Sequence, residues 1–111
     1  MEKIVERTLL FDFYGDLLTG HQRRIYEAVV LNDTGYSEVA ASEGISRQGV
    51  HDLVRRCDRQ LDEYEDKLHM LGRFLKIRDA ARKIRELSVK LPADDTSAKI
   101  RSLADGILEE L

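Results

Sequence analysis

Residues 36–53 have the sequence YSEVAASEGISRQGVHDL, with a spacing of apolar, glycine and capping residues that is typical of a helix-turn-helix. Gly44 suits the left-handed conformation that turns the chain between two helices. Ser46 is a favoured N-cap for the second helix. The wedge between the helices is expected to consist of four apolar residues: Val39, Ile45, Val50 and Leu53. The sequence therefore predicts two helices that cross at a tight corner.

The second of these helices carries the candidate nucleic-acid contacts. In a helix-turn-helix its exposed N-terminal end enters the major groove of DNA. The residues expected to face the nucleic acid are Ser46, Arg47, Gln48, His51, Asp52, Arg55 and Arg56. Arg47 can contact guanine or phosphate, and Gln48 can pair with adenine. The alternative is a helical hairpin that serves only for packing, with Arg47 and Gln48 merely solvated.

On both sides of this motif the apolar residues recur at helical spacing, and no segment alternates as a strand does. The predicted fold class is all-α, with helices near residues 2–18, 20–32, 36–43, 46–71, 73–91 and 97–110. Thr19 and Ser37 are expected to cap the second and third helices. Gly15 is expected to interrupt the first helix. Thr96 or Ser97 is the expected cap of the last helix.

The long predicted helix has an apolar seam with heptad spacing. Its members are Val50, Val54, Cys57, Leu61, Tyr64, Leu68, Leu71 and Leu75. Their steps alternate between four and three residues, which indicates a partner helix from this chain or from a second one. We predict a homodimer, in which about 34 Å between recognition helices would suit half-sites one turn of DNA apart.

The seam changes register near Gly72, where we expect a kink or turn. This change divides the chain into a helix-turn-helix domain, residues 1–71, and a C-terminal helical extension, residues 72–111. The long helix is expected to lead into a helical hairpin within that extension.

The charge is unevenly distributed along the chain. The formal net charge is −3, yet residues 67–90 hold eight basic and two acidic side chains. Such a segment is either a solvated helix face or a surface for a polyanion or protein partner. The candidate contacts for RNA or a partner are Arg78, Arg82, Lys83 and Arg85.

No pattern of catalytic or metal-binding residues stands out. His21, His51 and His69 are separated by 30 and 18 residues, which is not the spacing of metal ligands. Cys57 is the only cysteine and lies on the apolar seam. No apolar run approaches the roughly 20 residues that span a bilayer. We expect a cytoplasmic protein that is not an enzyme, with no metal, no cofactor and no membrane partner.

Several motifs resemble those of a known family. They are LLFDFYGDLLT at residues 9–19, Gln22-Arg23, Glu38-Val39-Ala40 and Gly44-Ile45-Ser46-Arg47-Gln48. This combination resembles the YlxM family of bacterial helix-turn-helix proteins over residues 1–71. That family in turn resembles region 4 of sigma-70-type factors.

The resemblance has implications for function. It implies DNA contacts by Arg47, Gln48, His51 and Arg55. It also implies a part in the signal recognition particle pathway, because the family's genes lie beside those for the particle's GTPases. The sequence departs from the family pattern at Glu43 and Gly49, where Phe and Ala are expected.

Three hypotheses follow. The first is a DNA-binding regulator that uses the recognition helix. The second is an accessory factor that binds the RNA or a GTPase of the signal recognition particle through residues 67–90, without binding DNA. The third is a purely structural dimer.

Overall fold

The computed structural model describes all residues from 1 to 111, and its regular structure is entirely helical. The helices are α1 Lys3–Tyr14, α2 Gly20–Tyr26, α3 Tyr36–Glu43, α4 Arg47–Leu68, α5 Met70–Val89 and α6 Asp95–Glu110. A 3-10 turn, Gly15–Leu17, follows α1, and a π-helical turn, Glu27–Leu31, follows α2. The predicted all-α fold is confirmed. The chain divides into two compact units, Met1–Leu71 and Gly72–Leu111, which are described separately below.

In the first unit α4 is the central helix, and α1, α2 and α3 all pack against it. The buried residues of α4 are Val50, Val54, Cys57 and Leu61. They are the first four members of the heptad seam, so this half of the seam has its partner helices within the chain. The buried residues that face them from the other helices include Leu10, Phe11, Tyr14, Ile25, Tyr26, Val39 and Ala40. Of the two predicted alternatives, a partner helix from this chain or from a second one, this half of the seam takes the first.

A hydrogen-bonded network joins three helices of this unit. The Tyr26 hydroxyl donates to Asp58 Oδ1 at 2.6 Å. Arg7 Nη1 lies 3.5 Å from the same carboxylate oxygen, and Arg7 Nη2 lies 2.9 Å from Asp62 Oδ1. Burial, and then the bond to Asp58, raise the pKa of Tyr26 well above its usual value, so the hydroxyl stays a donor. The network fixes α1 and α2 against the middle of α4.

The long helix ends earlier than the sequence predicted. His69 adopts a left-handed conformation, with φ of 55°, and Gly72 lies inside α5 without a break. The reason is tertiary: the Tyr14 hydroxyl accepts from Met70 N at 3.1 Å, and Glu65 Oε1 accepts from Leu71 N at 2.9 Å. These two acceptors satisfy backbone N–H groups that every helix start leaves unpaired, and so α5 begins at Met70.

Some of the other helix ends have the caps that the sequence predicted, and others do not. Thr19 caps α2, and Gln22 completes a capping box with it. Gly15 begins the 3-10 turn that ends α1, as expected. Ser37, by contrast, lies inside α3. The cap of α6 is Asp94 rather than Thr96 or Ser97, and Ser97 is the third residue of the resulting capping box.

The second unit contains α6 and nearly all of α5, which form a helical hairpin. Arg85 Nε on α5 lies 2.8 Å from Asp105 Oδ1 on α6. The buried residues of the unit are small: Ala81, Ser88, Ser97 and Ala104. Most of its large aliphatic side chains remain exposed. No helix of the chain has both the length and the apolar character needed to cross a bilayer.

Replacing Tyr26 by Phe should lower the free energy of unfolding by about 1.5–3 kcal/mol, because a hydrogen bond to a charged group is lost in a buried site. Urea denaturation followed by circular dichroism measures the change. The matched control is Tyr64→Phe. Its hydroxyl makes only a 3.4 Å contact to Leu17 O at the surface, so we expect a change below about 0.5 kcal/mol. Equal losses in the two variants would contradict the importance of the Tyr26–Asp58 bond.

Candidate nucleic-acid interface

The corner between α3 and α4 depends on Gly44. This residue has φ of 69°, in the left-handed region, where a side chain on an L-residue is strained. Its N–H and that of Ile45 both donate to Ala40 O, the latter at 3.1 Å. Val39 and Ala40 are buried on one side of the corner and Val50 on the other, whereas Ile45 and Leu53 are half-buried. The glycine corner and the apolar wedge predicted from the sequence are confirmed.

The start of α4 is capped by Ser46, as predicted. Its Oγ accepts from Gly49 N at 2.9 Å, and Ser46 itself is exposed. A Cβ at position 49 would lie only 3.1 Å from that oxygen. Glycine at this position therefore leaves room for the cap, which offsets part of its poor helix propensity. The first N–H groups of α4 lie at an exposed helix N-terminus, a place that favours anions.

The candidate residues along α4 are on the surface. Arg47, Gln48, Asp52, Arg55 and Arg56 are all exposed. Arg47, His51 and Arg55 are four residues apart, so they follow one another along a single stripe of the helix. The structure thus brings the predicted set together at the N-terminal half of α4.

Gln48 and Asp52 interact directly. The Gln48 amide Nε2 donates to Asp52 Oδ1 at 3.0 Å, as their separation of four residues allows. With one N–H held in this way, Gln48 keeps its second N–H as a donor and its amide oxygen as an acceptor. The carboxylate of Asp52 adds a negative charge to a face that is otherwise basic or neutral.

His51 is held by a contact that the sequence did not indicate. Its ring stacks on that of Tyr36, with centroids 3.7 Å apart and planes 9° from parallel. His51 is half-buried as a result. The stack connects the first residue of α3 with the second turn of α4. No local pattern could have revealed it, because the two residues are 15 positions apart and meet only through the corner.

Glu43 has a structural role that explains its departure from the family pattern. Arg24 donates from Nε to Glu43 Oε1 at 2.6 Å and from Nη2 to Oε2 at 2.8 Å. The bond from Arg24 holds the pKa of Glu43 below its usual value. His21 Nε2 lies 3.8 Å from the same carboxylate. The bidentate pair ties the last residue of α3 to α2, where an apolar side chain was expected.

The second candidate set, on α5, is less uniform than the sequence suggested. The Arg78 guanidinium lies 5.7 Å from the centre of the Phe74 ring and is partly covered. Arg85 pairs with Asp105. Arg82 and Lys83 are exposed, and Lys83 Nζ is 3.9 Å from Glu86. Of the four, Arg82 and Lys83 are the most accessible to an RNA or protein partner.

The structure contains no cluster of three His, Cys, Asp or Glu side chains that could hold a metal ion. Cys57 is buried in the core, and burial raises the pKa of its thiol to about 11. A thiol in that state is a weak nucleophile at neutral pH. The position of Cys57 in the buried half of the heptad seam indicates that it is a packing residue.

Replacing Gly44 by Ala should destabilise the first unit by about 1–2 kcal/mol, because the left-handed backbone strains any Cβ. No atom lies within 4 Å of the added carbon, so the loss reports backbone strain alone. Gly20→Ala is the matched control, because a Cβ at Gly20 would also meet no atom within 4 Å and the φ of Gly20 lies outside the left-handed region. Thermal unfolding of both variants checks the prediction. A Gly44→Ala protein as stable as Gly20→Ala would contradict the strained corner.

Comparison with known proteins places these features in a family. Residues 1–101 match UPF0122, a family whose description is "Putative helix-turn-helix protein, YlxM / p13 like". A UPF0122 protein of Symbiobacterium thermophilum is 39% identical over 104 residues, which cover 94% of each chain. A UPF0122 protein of Halalkalibacterium halodurans is 33% identical over 107 residues, covering 96% of this chain and 95% of the relative. The chain therefore belongs to the UPF0122 family of YlxM / p13-like helix-turn-helix proteins.

Proposed function

We propose that this protein is a regulator that binds duplex DNA with its recognition helix, the N-terminal half of α4. The observation that carries the proposal is the exposure of Arg47 and Gln48 at a capped helix N-terminus, which the Gly44 corner directs away from the core. This arrangement suits entry into a major groove. The family's helix-turn-helix description supports the same function. A likeness to region 4 of sigma factors is part of the proposal.

Each candidate residue has a proposed role. Ser46 and the first backbone N–H groups of α4 hold a phosphate. Arg47 contacts guanine. Arg55 and Arg56, between two and three turns further along, contact the DNA backbone and set the register. His51 supports the helix through its stack on Tyr36 and offers only a ring edge to the groove.

The Gln48–Asp52 pair bears on the expected specificity. A free Gln side chain pairs with adenine through both its donor and its acceptor. Here Asp52 accepts from one of the two N–H groups of Gln48 Nε2, and the second N–H and the amide oxygen are left to pair with a base. We infer that Gln48 pairs with adenine in an orientation that Asp52 helps to fix.

The charges along α4 favour contact at one end only. Its first half, residues 47–57, has three basic residues and one acidic residue, whereas residues 58–68 have five acidic and two basic ones. DNA is repelled by the second half and attracted by the first. The proposed complex therefore has few phosphate contacts and gains its affinity from base recognition.

The double variant Arg47→Ala/Gln48→Ala should lose sequence preference for DNA. A binding site is first selected from a random duplex library, and electrophoretic shifts are then measured over a range of salt concentrations. Each lost base contact is worth about 1–3 kcal/mol of discrimination, so we expect at least a tenfold loss for the selected site. Binding by the native chain should weaken as salt is raised.

Lys67→Ala is the matched control for this experiment. Lys67 is exposed and lies in the last turn of α4, about 30 Å along the helix from Arg47 at 1.5 Å per residue. Its removal should leave the affinity unchanged. If the double variant keeps full affinity, or if Lys67→Ala loses as much, the recognition helix is not the site of binding.

A second candidate function is an accessory role in the signal recognition particle pathway. The eight basic residues within 67–90 support it, together with the exposure of Arg82 and Lys83. We propose that this surface would contact the particle's RNA or one of its GTPases. The phosphates of RNA would be attracted by such a helix in a salt-dependent way.

Charge reversal by Arg82→Glu/Arg85→Glu should abolish association with the particle in a pull-down. Because Arg85 also pairs with Asp105, the control is Asp105→Asn, which removes that ion pair and keeps both basic residues. The control should associate normally. An unchanged pull-down with the charge-reversed chain would exclude this role for α5.

Homodimerisation stays a prediction. The first half of the heptad seam is buried within one chain, whereas Leu68 in the second half is 45% exposed. Sedimentation of the full chain would establish its state, which also decides whether DNA sites would occur as paired half-sites.

A further inference from the structure

The outer surface of α5 carries an apolar seam that nothing covers. Its exposed apolar residues are Ile77, Ala80, Ile84 and Leu87, at steps of three, four and three, and the exposed Leu91 follows in the turn after the helix. The four large side chains are between 42% and 50% exposed. This spacing is the heptad pattern of a helix that packs along another helix. It differs from the buried line of Ala81 and Ser88 on the same helix.

Exposed apolar residues of α6 lie on the same face of the hairpin. At about 100° per residue, Arg85 falls on one side of the Ala81–Ser88 line and Ile84 on the other. On α6, Asp105 falls on one side of the buried Ser97–Ala104 line, and Leu103 and Ile107 on the other. Arg85 pairs with Asp105, so the sides of the two antiparallel helices that carry these residues face the same way. The opposite sides, which carry the exposed apolar residues, therefore also face the same way.

The two helices therefore present one continuous apolar face. Leu103 and Ile107 are 71% and 41% exposed. Together with the large residues of the α5 seam, they form an area on the order of 500 Å², near the upper end for a patch on a monomer. A patch of this size usually marks an interaction site. Apolar residues on two adjacent antiparallel helices make a surface against which a third helix can pack.

Lysines border this face. Lys76 and Lys83 each come directly before a member of the seam, in the position that flanks a helix–helix contact and interacts with charges on the partner. Lys90 lies in the turn after α5. Lys99 lies at the outer edge of α6, and at about 100° per residue Glu110 is an acidic residue of α6 on the same edge. All four lysines are exposed. The ion pair between Lys83 and Glu86, at 3.9 Å between exposed side chains, is too weak to neutralise this border.

The lysines around the apolar face indicate which kind of partner it can bind. A second copy placed antiparallel along the seam would bring lysines against lysines, which costs affinity. Placed parallel, it would set the lysines against Ala81 and Ser88, which offer no opposite charge. A membrane-bound helix normally has a broad apolar face with Trp or Phe, whereas this seam is narrow and aliphatic. We propose that the α5–α6 face binds an amphipathic helix of a partner protein whose apolar stripe is flanked by acidic residues.

The proposal is tested with a designed peptide of about three heptads that has Leu at a and d and Glu at e and g. Repulsion between its own glutamates keeps it from associating with itself. A matched peptide has Lys in place of Glu. Fluorescence anisotropy with the full chain should show binding of the acidic peptide at least tenfold tighter than that of the basic one. Circular dichroism should show that the bound peptide gains helix.

Variants of the face should alter this binding in two distinct ways. Ile84→Asp/Leu103→Asp should abolish it; both side chains are exposed, so the melting temperature should stay the same. Lys76→Glu/Lys83→Glu should invert the preference, so that the basic peptide binds more tightly. Arg59→Glu/Lys67→Glu makes the same change in net charge on exposed positions of α4 and should leave the preference for the acidic peptide unchanged.

Several results would overturn the proposal. Equal affinity for the two peptides, binding of neither, or failure of the lysine variants to invert the preference would each do so. A chain that sediments as a dimer and becomes a monomer with Ile84→Asp/Leu103→Asp would assign the face to a second copy instead. Binding to vesicles of anionic phospholipid that is lost in the same variant would assign it to a lipid surface.

Discussion

Burial of the apolar stripe of α4 against α1, α2 and α3 is the contact on which the first unit depends. Val50, Cys57 and Leu61 are fully buried, and their packing determines both where α4 lies and how it is rotated. Because the stripe faces inward over the first half of the helix, Gln48 faces outward, and Arg47 is exposed because it is the first residue of the helix. The position of the proposed recognition surface is therefore a consequence of core packing, to which the polar network around Asp58 contributes.

The chain has an unusual charge distribution for a candidate DNA-binding protein. The first unit has 14 acidic and nine basic residues, so its overall field repels DNA. Only the N-terminal half of α4, with its helix dipole and its arginines, offers a local attraction. A protein of this kind gains little from non-specific binding. The proposed function relies instead on a small number of well-placed contacts. One of them is made by Gln48, whose amide is held by Asp52.

Positions that looked unfavourable in the sequence have specific structural reasons. Glu43 forms a bidentate pair with Arg24, and Gly49 leaves space for the Ser46 cap. His69 adopts a left-handed backbone because Tyr14 and Glu65 cap the helix that follows. In each case an interaction with a residue distant in sequence, or with a capping side chain, outweighs a local preference of the order of 1 kcal/mol.

The sequence alone determined the features that depend on local chemistry. The helical periodicity, the Thr19 and Ser46 caps and the Gly44 corner all follow from the preferences of a few adjacent residues. Tertiary structure decided the rest. It assigned the Val50–Leu61 half of the heptad seam to helices of the same chain, moved the helix break from Gly72 to His69 and stacked His51 on Tyr36. A periodic pattern states that a helix has an apolar side, but it carries no information about which surface covers that side. That choice depends on contacts between residues far apart in the chain.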